Sequence, residues 1–177
     1  MLRFLKWLFY LIVLLAVVIV AGSFLLPSSV TVSRSIDIAA PPEKVFAIVG
    51  DLKRMNEYSP WADLDPNTKY TFEGPDQGVG QKMSWASDNE SVGSGSQTMT
   101  DYQPPKHVAY DLDFGEMGKS EASWDLEPTT TGTKATWWFN TRADGIMMRW
   151  MGLMFDRWIG ADYEKGLTRL KVAAERP

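Results

Sequence analysis

Hydrophobic and polar positions change rhythm twice along this chain, and each rhythm predicts a different element. From Trp7 to Leu26 the sequence WLFYLIVLLAVVIVAGSFLL runs for 20 residues without a charge. At about 1.5 Å per residue such a helix spans roughly 30 Å, the thickness of a bilayer's hydrocarbon core. Arg3 and Lys6 precede it and no basic residue follows until Arg34. The positive-inside rule then predicts a cytoplasmic N-terminus and an exported remainder, periplasmic or extracellular. A cleaved signal peptide is the competing reading, with Ala21 and Ser23 as a small-x-small site. The apolar run exceeds the roughly 7–15 residues usual for a signal, which favours a retained anchor.

Beyond the anchor, VTVSRSIDIAA after the short break PSS (27–29) alternates as a strand does. PPEKVFAIVGDL then opens a helix, with Pro42 in the first turn where no backbone donor is needed. Val45, Phe46, Val49 and Leu52 follow at helical spacing. KRMNEYSPW reads as a second short helix ending before Pro60. Six alternating runs come next: 69–73, 81–87, 96–102, 107–114, 121–127 and 133–141. Turn-rich stretches such as GPDQGVG, DNESVGSG, QPPK, GEMGK and PTTTG separate them, so consecutive strands are expected to pair antiparallel. From Ile146 the period becomes 3–4, predicting a long amphipathic helix with Asp144 as N-cap and a bend near Gly160. The expected organisation is an anchor over 1–26, a linker over 27–31 and one domain over 32–177.

Strand parity sorts the side chains of the meander. Met83, Trp85, Gln97, Met99, Tyr110, Leu112, Phe114, Trp124, Trp137 and Phe139 share one face. Ser84, Asp111, Asp113, Ser123, Asp125, Trp138 and Asn140 take the other. A sheet with one apolar face must bury it, and the last helix is the large apolar element available. Trp137 is therefore expected to point inward and Trp138 outward, unless a bulge before them exchanges the two. A Trp138 on the outer face either lies over its polar neighbours, touches the bilayer interface or docks a partner.

Composition narrows the chemistry. The chain has no cysteine, which excludes disulfides, thiolate metal sites and a cysteine nucleophile. A single histidine, His107, argues against a His-rich metal site, and its place at a strand's start suggests a solvated edge position. The net charge is −4, against general nucleic-acid binding. With Arg3 and Lys6 set aside, 16 basic residues face 22 acidic ones, a charge of −6 on the exported part. That part is mildly repelled by an anionic membrane surface, which leaves the anchor to hold it there. The glycines of GPDQGVGQK and GSGS precede strands rather than open a helix, so they read as turns and bulges and not as a phosphate cradle.

Residues 32–175 resemble the SRPBCC superfamily, also called START-like or helix-grip, and within it the polyketide cyclase/dehydrase group. The likeness rests on SIDIAAPPEKVFAIVGDLKRMNEYSPW, GVGQKMSW, VGSGSQTMTDYQPPKHVAYDLDF, LEPTTTGTKATW and MGLMFDRWIGADYEKGLTRLKVAAE, in that order. The resemblance implies an α+β fold in which a seven-stranded antiparallel sheet wraps a long C-terminal helix around an apolar cavity. It also implies a hydrophobic small molecule or lipid as ligand. One fold serves many chemistries, so it leaves the activity open.

The candidate ligand wall is Met83, Trp85, Gln97, Met99, Tyr110, Trp124, Trp137 and Phe139, closed by Met147, Met151 and Met154. Aromatic walls with few polar groups suit such pockets, and methionine adapts to variable apolar cargo. The same residues would equally serve as plain core. Gln97 and Tyr110 are the polar groups able to meet a headgroup, unless the backbone satisfies them. No acid–base pair converges on this face, so catalytic residues, a cofactor and a metal are not expected. The expected function is binding of a hydrophobic molecule without conversion. The alternatives are a cyclase/dehydrase-like enzyme and a module with a filled core that binds an envelope protein.

Overall fold

The computed structural model describes residues 2–176; Met1 and Pro177, the outer ends of the expected anchor and domain, lie outside the described residues. Helix α1 covers Leu2–Ser23 and is apolar enough to cross a membrane; its most apolar stretch is unburied, while Ser23 at its end is buried. It ends three residues before the apolar run does. Phe24, Leu25 and Leu26 continue as single turns whose N–H groups reach Ala21, Gly22 and Ser23 carbonyls, and Pro27 then forbids further helix.

Seven strands follow: β1 (Ser29–Ile38), β2 (Lys69–Glu73), β3 (Lys82–Ala86), β4 (Ser94–Gln103), β5 (His107–Asp113), β6 (Lys119–Thr129) and β7 (Gly132–Arg142). They form one antiparallel sheet in the order β1-β7-β6-β5-β4-β3-β2. All neighbours after β1 are sequential, as short turns require, and the N-terminal strand closes the far edge beside β7. Helix α2 (Pro42–Val49) and a 3-10 turn (Leu52–Glu57) lie between β1 and β2, and α3 (Ile146–Glu175) ends the chain. This is the helix-grip arrangement of the α+β class.

The parity reading of the strands holds along the inner face. Register pairs Trp124 with Trp137 and Ala122 with Phe139 across β6 and β7, and Trp137 with Arg34 across β7 and β1. The register irregularity falls in β4, between Met99 and Asp101, away from the tryptophan pair. α3 runs chiefly along β1, with buried Tyr163, Leu167, Leu170 and Ala174 facing the sheet. α2 and the 3-10 turn cover the neighbouring inner surface, where Val45, Val49 and Leu52 are at most 1% exposed.

Two terminal details differ from expectation. Gly145, at φ 84°, occupies the N-cap of α3 and makes no side-chain cap bond, while Asp144 pairs instead with Arg142 at 3.3 Å. The left-handed backbone there suits glycine, so the cap position moves one residue beyond the carboxylate. α3 is also one unbroken helix through Gly160. That glycine accommodates a neighbour: a Cβ there would lie 2.1 Å from the Arg34 guanidinium.

Candidate functional site

The inner wall is built around an aromatic stack. Trp137 lies between Trp124, at 4.5 Å and 17°, and Tyr163 of α3, at 3.8 Å and 10°. Tyr58 meets both tryptophans edge-on at 5.5 and 5.7 Å, and Trp61 meets Trp137 at 6.4 Å. Gly166 makes the stack possible, since a Cβ there would sit 2.7 Å from the Trp137 ring. Edge-to-face and offset stacks of this kind each contribute about 0.5–1.5 kcal/mol beyond area burial. At this end the space between sheet and α3 is filled.

Exposure rises toward the other end of the wall. Val108 and Ala135 are fully buried, whereas Leu112 and Phe139 reach 9% and 8%. Trp85 and Phe114, edge-to-face at 5.9 Å, are only half-buried, as are Met55, Phe155 and Ile159. In this region Gly152 of α3 rides on Val30, close enough that a Cβ would come within 2.8 Å of its methyl group.

The polar groups on the wall have partners. Tyr110 donates its hydroxyl to the Val49 carbonyl, so α2 satisfies it. Gln97 donates to the Met55 sulfur, a weak acceptor. Burial holds the phenols of Tyr58, Tyr110 and Tyr163 well above their ordinary range; all three remain protonated at physiological pH. Buried Gln81, before β3, accepts from the Leu52 N–H and donates to Asp51 and the Asp76 carbonyl. It ties the 3-10 turn to the sheet.

Of the expected site, Met83, Gln97, Met99, Tyr110, Trp124, Trp137 and Phe139 do converge as buried residues, with Trp85 half-buried at their margin. Met147, Met151 and Met154 do not close the wall: they are 75%, 40% and 36% exposed. Phe155 and Ile159 pack against the core from that half of the helix instead. The reason is angular. The stripe Met147–Met151–Met154–Trp158 passes to Tyr163 by a five-residue step, which at 3.6 residues per turn rotates it about 140° onto a different face.

Arg34 is an inner-face residue that strand alternation places beside Val32 and Ile36. It donates to the Glu164 carboxylate at 3.0 Å and to Asp156 at 2.9 Å. These carboxylates hold its pKa above the ordinary value, and Arg34 in turn depresses that of Asp156. A charge at an inward parity position of β1 was the available signal, and α3 answers it with two acids about two turns apart.

On the outer face, His107 is not a solvated edge residue. It belongs to the interior strand β5, and its Nδ1 lies 2.7 Å from Asp125 Oδ1, with Asp101 3.9 Å from Nε2. Trp138 is half-buried between its register partners Ser33 and Ser123. Its Nε1–H is buried without an acceptor among the described residues. Among the described residues no three His, Asp or Glu side chains come together as metal ligands. Concavities of about 310 Å³ beside Arg3, Lys6, Trp7 and Tyr10 and about 430 Å³ around Thr31, Asp111, Glu121 and Asn140 both lie outside the wall.

A family model described as polyketide cyclase/dehydrase and lipid transport matches residues 29–175. The chain belongs to that family. No curated protein matches it. Among solved structures it is similar to protein CV1439 of Chromobacterium violaceum, at 16% identity and TM-score 0.61, covering 84% of this chain and 99% of that one. Protein SA2116 of Staphylococcus aureus is similar at 9% identity and TM-score 0.65, covering 83% and 94%. StfQ, a di-domain ARO/CYC protein of the steffimycin biosynthetic pathway, is similar at 12% and 0.62, covering 83% of this chain and 51% of that one. At these identities the structural likenesses establish the fold alone.

Proposed function

We propose that this family member is a membrane-anchored binder of a hydrophobic small molecule or lipid, which it holds against the inner wall without converting it. The observation that carries this reading is the gradient of exposure along the wall. The aromatic stack fixes one end, while at the other end Leu112 and Phe139 are buried beneath a margin of half-buried Trp85 and Phe114. A ligand bound there would lie on apolar and aromatic surface, with Gln97 as the nearest polar group whose present partner is weak. Met83, Met99, Tyr110, Trp124 and Trp137 support the floor of the site from beneath.

α1 supports the anchored part of the reading. Its apolar stretch is unburied, and Arg3 and Lys6 at its start favour a cytoplasmic N-terminus. The domain would then stand in the periplasm or outside the cell, beside a lipid source.

Native mass spectrometry of the full chain, released from gentle detergent, tests the proposal. A defined apolar adduct is expected in the unmodified protein and absent in Leu112→Trp, which fills the end with the half-buried margin. Trp138→Ala, on the outer face, is expected to retain it. A clean apo mass after incubation with a lipid extract overturns the proposal in favour of a filled interaction module. The family's description as polyketide cyclase/dehydrase supports a second, enzymatic reading; the discriminating observation is a bound molecule whose mass changes on incubation.

A further inference from the structure

The outward face of α3 changes character halfway along the helix. Its first strip reads Met147, Met151, Met154, Trp158, and the same 3–4 spacing continues as Ala161, Lys165, Thr168, Val172. The first set is joined on its flank by Leu153, which is 56% exposed, and Trp158 is 50% exposed. The second is flanked by exposed Glu164 and half-buried Arg169. One helix face is thus apolar for about three turns and mixed thereafter, with Lys165 and Thr168 between Ala161 and Val172. A continuous exposed apolar face of this kind marks an interaction surface.

What lies beside that face is α1. The Trp150 indole N–H donates to the Ile19 carbonyl at 3.1 Å, and its ring covers Gly22, where a Cβ would lie 2.9 Å away. Arg149 donates to the Ser23 carbonyl at 3.0 Å, satisfying one of the orphan acceptors at the end of α1. It also stands 6.0 Å from the Phe24 ring centroid. Phe24 and Leu25 continue the apolar surface at 73% and 89% exposure. The apolar half of α3 therefore begins where the apolar helix leaves off.

Charge agrees with this placement. Between Ile146 and Gly160 the basic residues are Arg149 and Arg157, and the single acid is Asp156. Arg34 pairs with Asp156 at 2.9 Å, so the segment presents net positive charge although the exported part as a whole is acidic. Tryptophan is favoured at the headgroup level, and a helix with an apolar face and basic flanks lies in the plane of the interface.

We propose that the outward face of α3 from Met147 to Trp158, with Phe24 and Leu25, is embedded in the interfacial layer of the bilayer that α1 spans. This rests on the reading of α1 as a membrane span. The occupant is the boundary between headgroups and acyl chains. The domain is then seated on the membrane, with the half-buried margin of its wall next to lipid, rather than suspended from it.

The absence of native cysteine permits a direct test. The full chain, carrying one environment-sensitive fluorophore at Leu153→Cys, Thr168→Cys or Leu15→Cys, is reconstituted into phosphatidylethanolamine/phosphatidylglycerol vesicles. Shallow and deep spin-labelled lipids then serve as quenchers. The expected result at Leu153→Cys is a roughly twofold or greater loss of emission with the shallow quencher. Thr168→Cys is expected to stay unquenched, and Leu15→Cys to respond to the deep quencher. Quenching at Leu15→Cys without quenching at Leu153→Cys overturns the seating while leaving the span intact. Energy transfer between copies labelled at Leu153→Cys, in place of quenching, assigns the face to a second copy and also overturns it. Failure at Leu15→Cys overturns the span itself.

Discussion

Trp137 and Trp138 are chain neighbours with opposite energetics. Trp137 is 4% exposed and sandwiched between two rings, so truncating it removes both transfer energy and packing. Trp137→Ala is expected to destabilise by about 3–5 kcal/mol in chemical denaturation. Trp138 buries an indole N–H that finds no acceptor among the described residues, and an unsatisfied donor costs about 1–3 kcal/mol. Trp138→Phe keeps most of the ring and removes that donor, so its denaturation midpoint is expected to equal or exceed the unmodified protein's. A lowered midpoint would show that the packing of the larger indole outweighs the cost of its unpaired N–H. Gly166→Ala raises helix propensity yet drives a Cβ against Trp137; a net loss of about 1–3 kcal/mol is expected from overpacking.

At the scale of elements, α3 is held to the sheet by an ionic clamp as well as by its buried stripe. Arg34 grips Asp156 and Glu164 through the gap that Gly160 leaves. Asp156 has its pKa lowered from 3.8, chiefly by the hydrogen bond from Arg34. The folded state thus prefers the ionised form, and the stabilisation is complete above pH 3.8 and lost as pH falls through the lowered value. Arg34 stays charged throughout. The protection of amides around Asp156, taken relative to their intrinsic exchange rate at each pH, is expected to fall as pH drops below 3.8 in the unmodified protein and to be less pH-sensitive in Asp156→Asn. An equal fall in both would assign the effect to other groups.

The same helix shows where sequence reading succeeds and where it stops. All six runs of the meander became strands within a few residues, because a period of two on a sheet with one apolar face has a single solution. The inward parity that groups Met83, Tyr110, Trp124 and Trp137 followed from the same rule. The first half of α3 defeats the rule, because both its sheet-facing and its outward stripes are apolar. Amphipathic spacing then yields two equivalent seams, and the methionine seam faces away from the sheet. Arg34 and Gln81 were equally hidden: each is a polar residue whose meaning depends on partners more than 25 positions away.

Across the whole molecule, these features bear on how the anchor and the domain communicate. A flexible linker would leave the domain's orientation free, but Ser28 is bonded into the sheet end through the Ala143 N–H, and Trp150 and Arg149 clasp the end of α1. The clasp is peripheral to the core, since Trp150 is 38% exposed and its partners are α1 carbonyls. The double variant Arg149→Ala, Trp150→Ala is therefore expected to leave the domain's unfolding midpoint nearly unchanged, within about 0.5–1 kcal/mol. Cleavage between Phe24 and Ser28 by an added protease should become faster, because that segment loses its packing while the sheet does not. A parallel drop in the midpoint would place the clasp inside the cooperative unit of the fold. Unchanged cleavage would mean that Pro27 and the Ser28–Ala143 bond alone fix the junction, making the orientation a property of the strand edge rather than of α3.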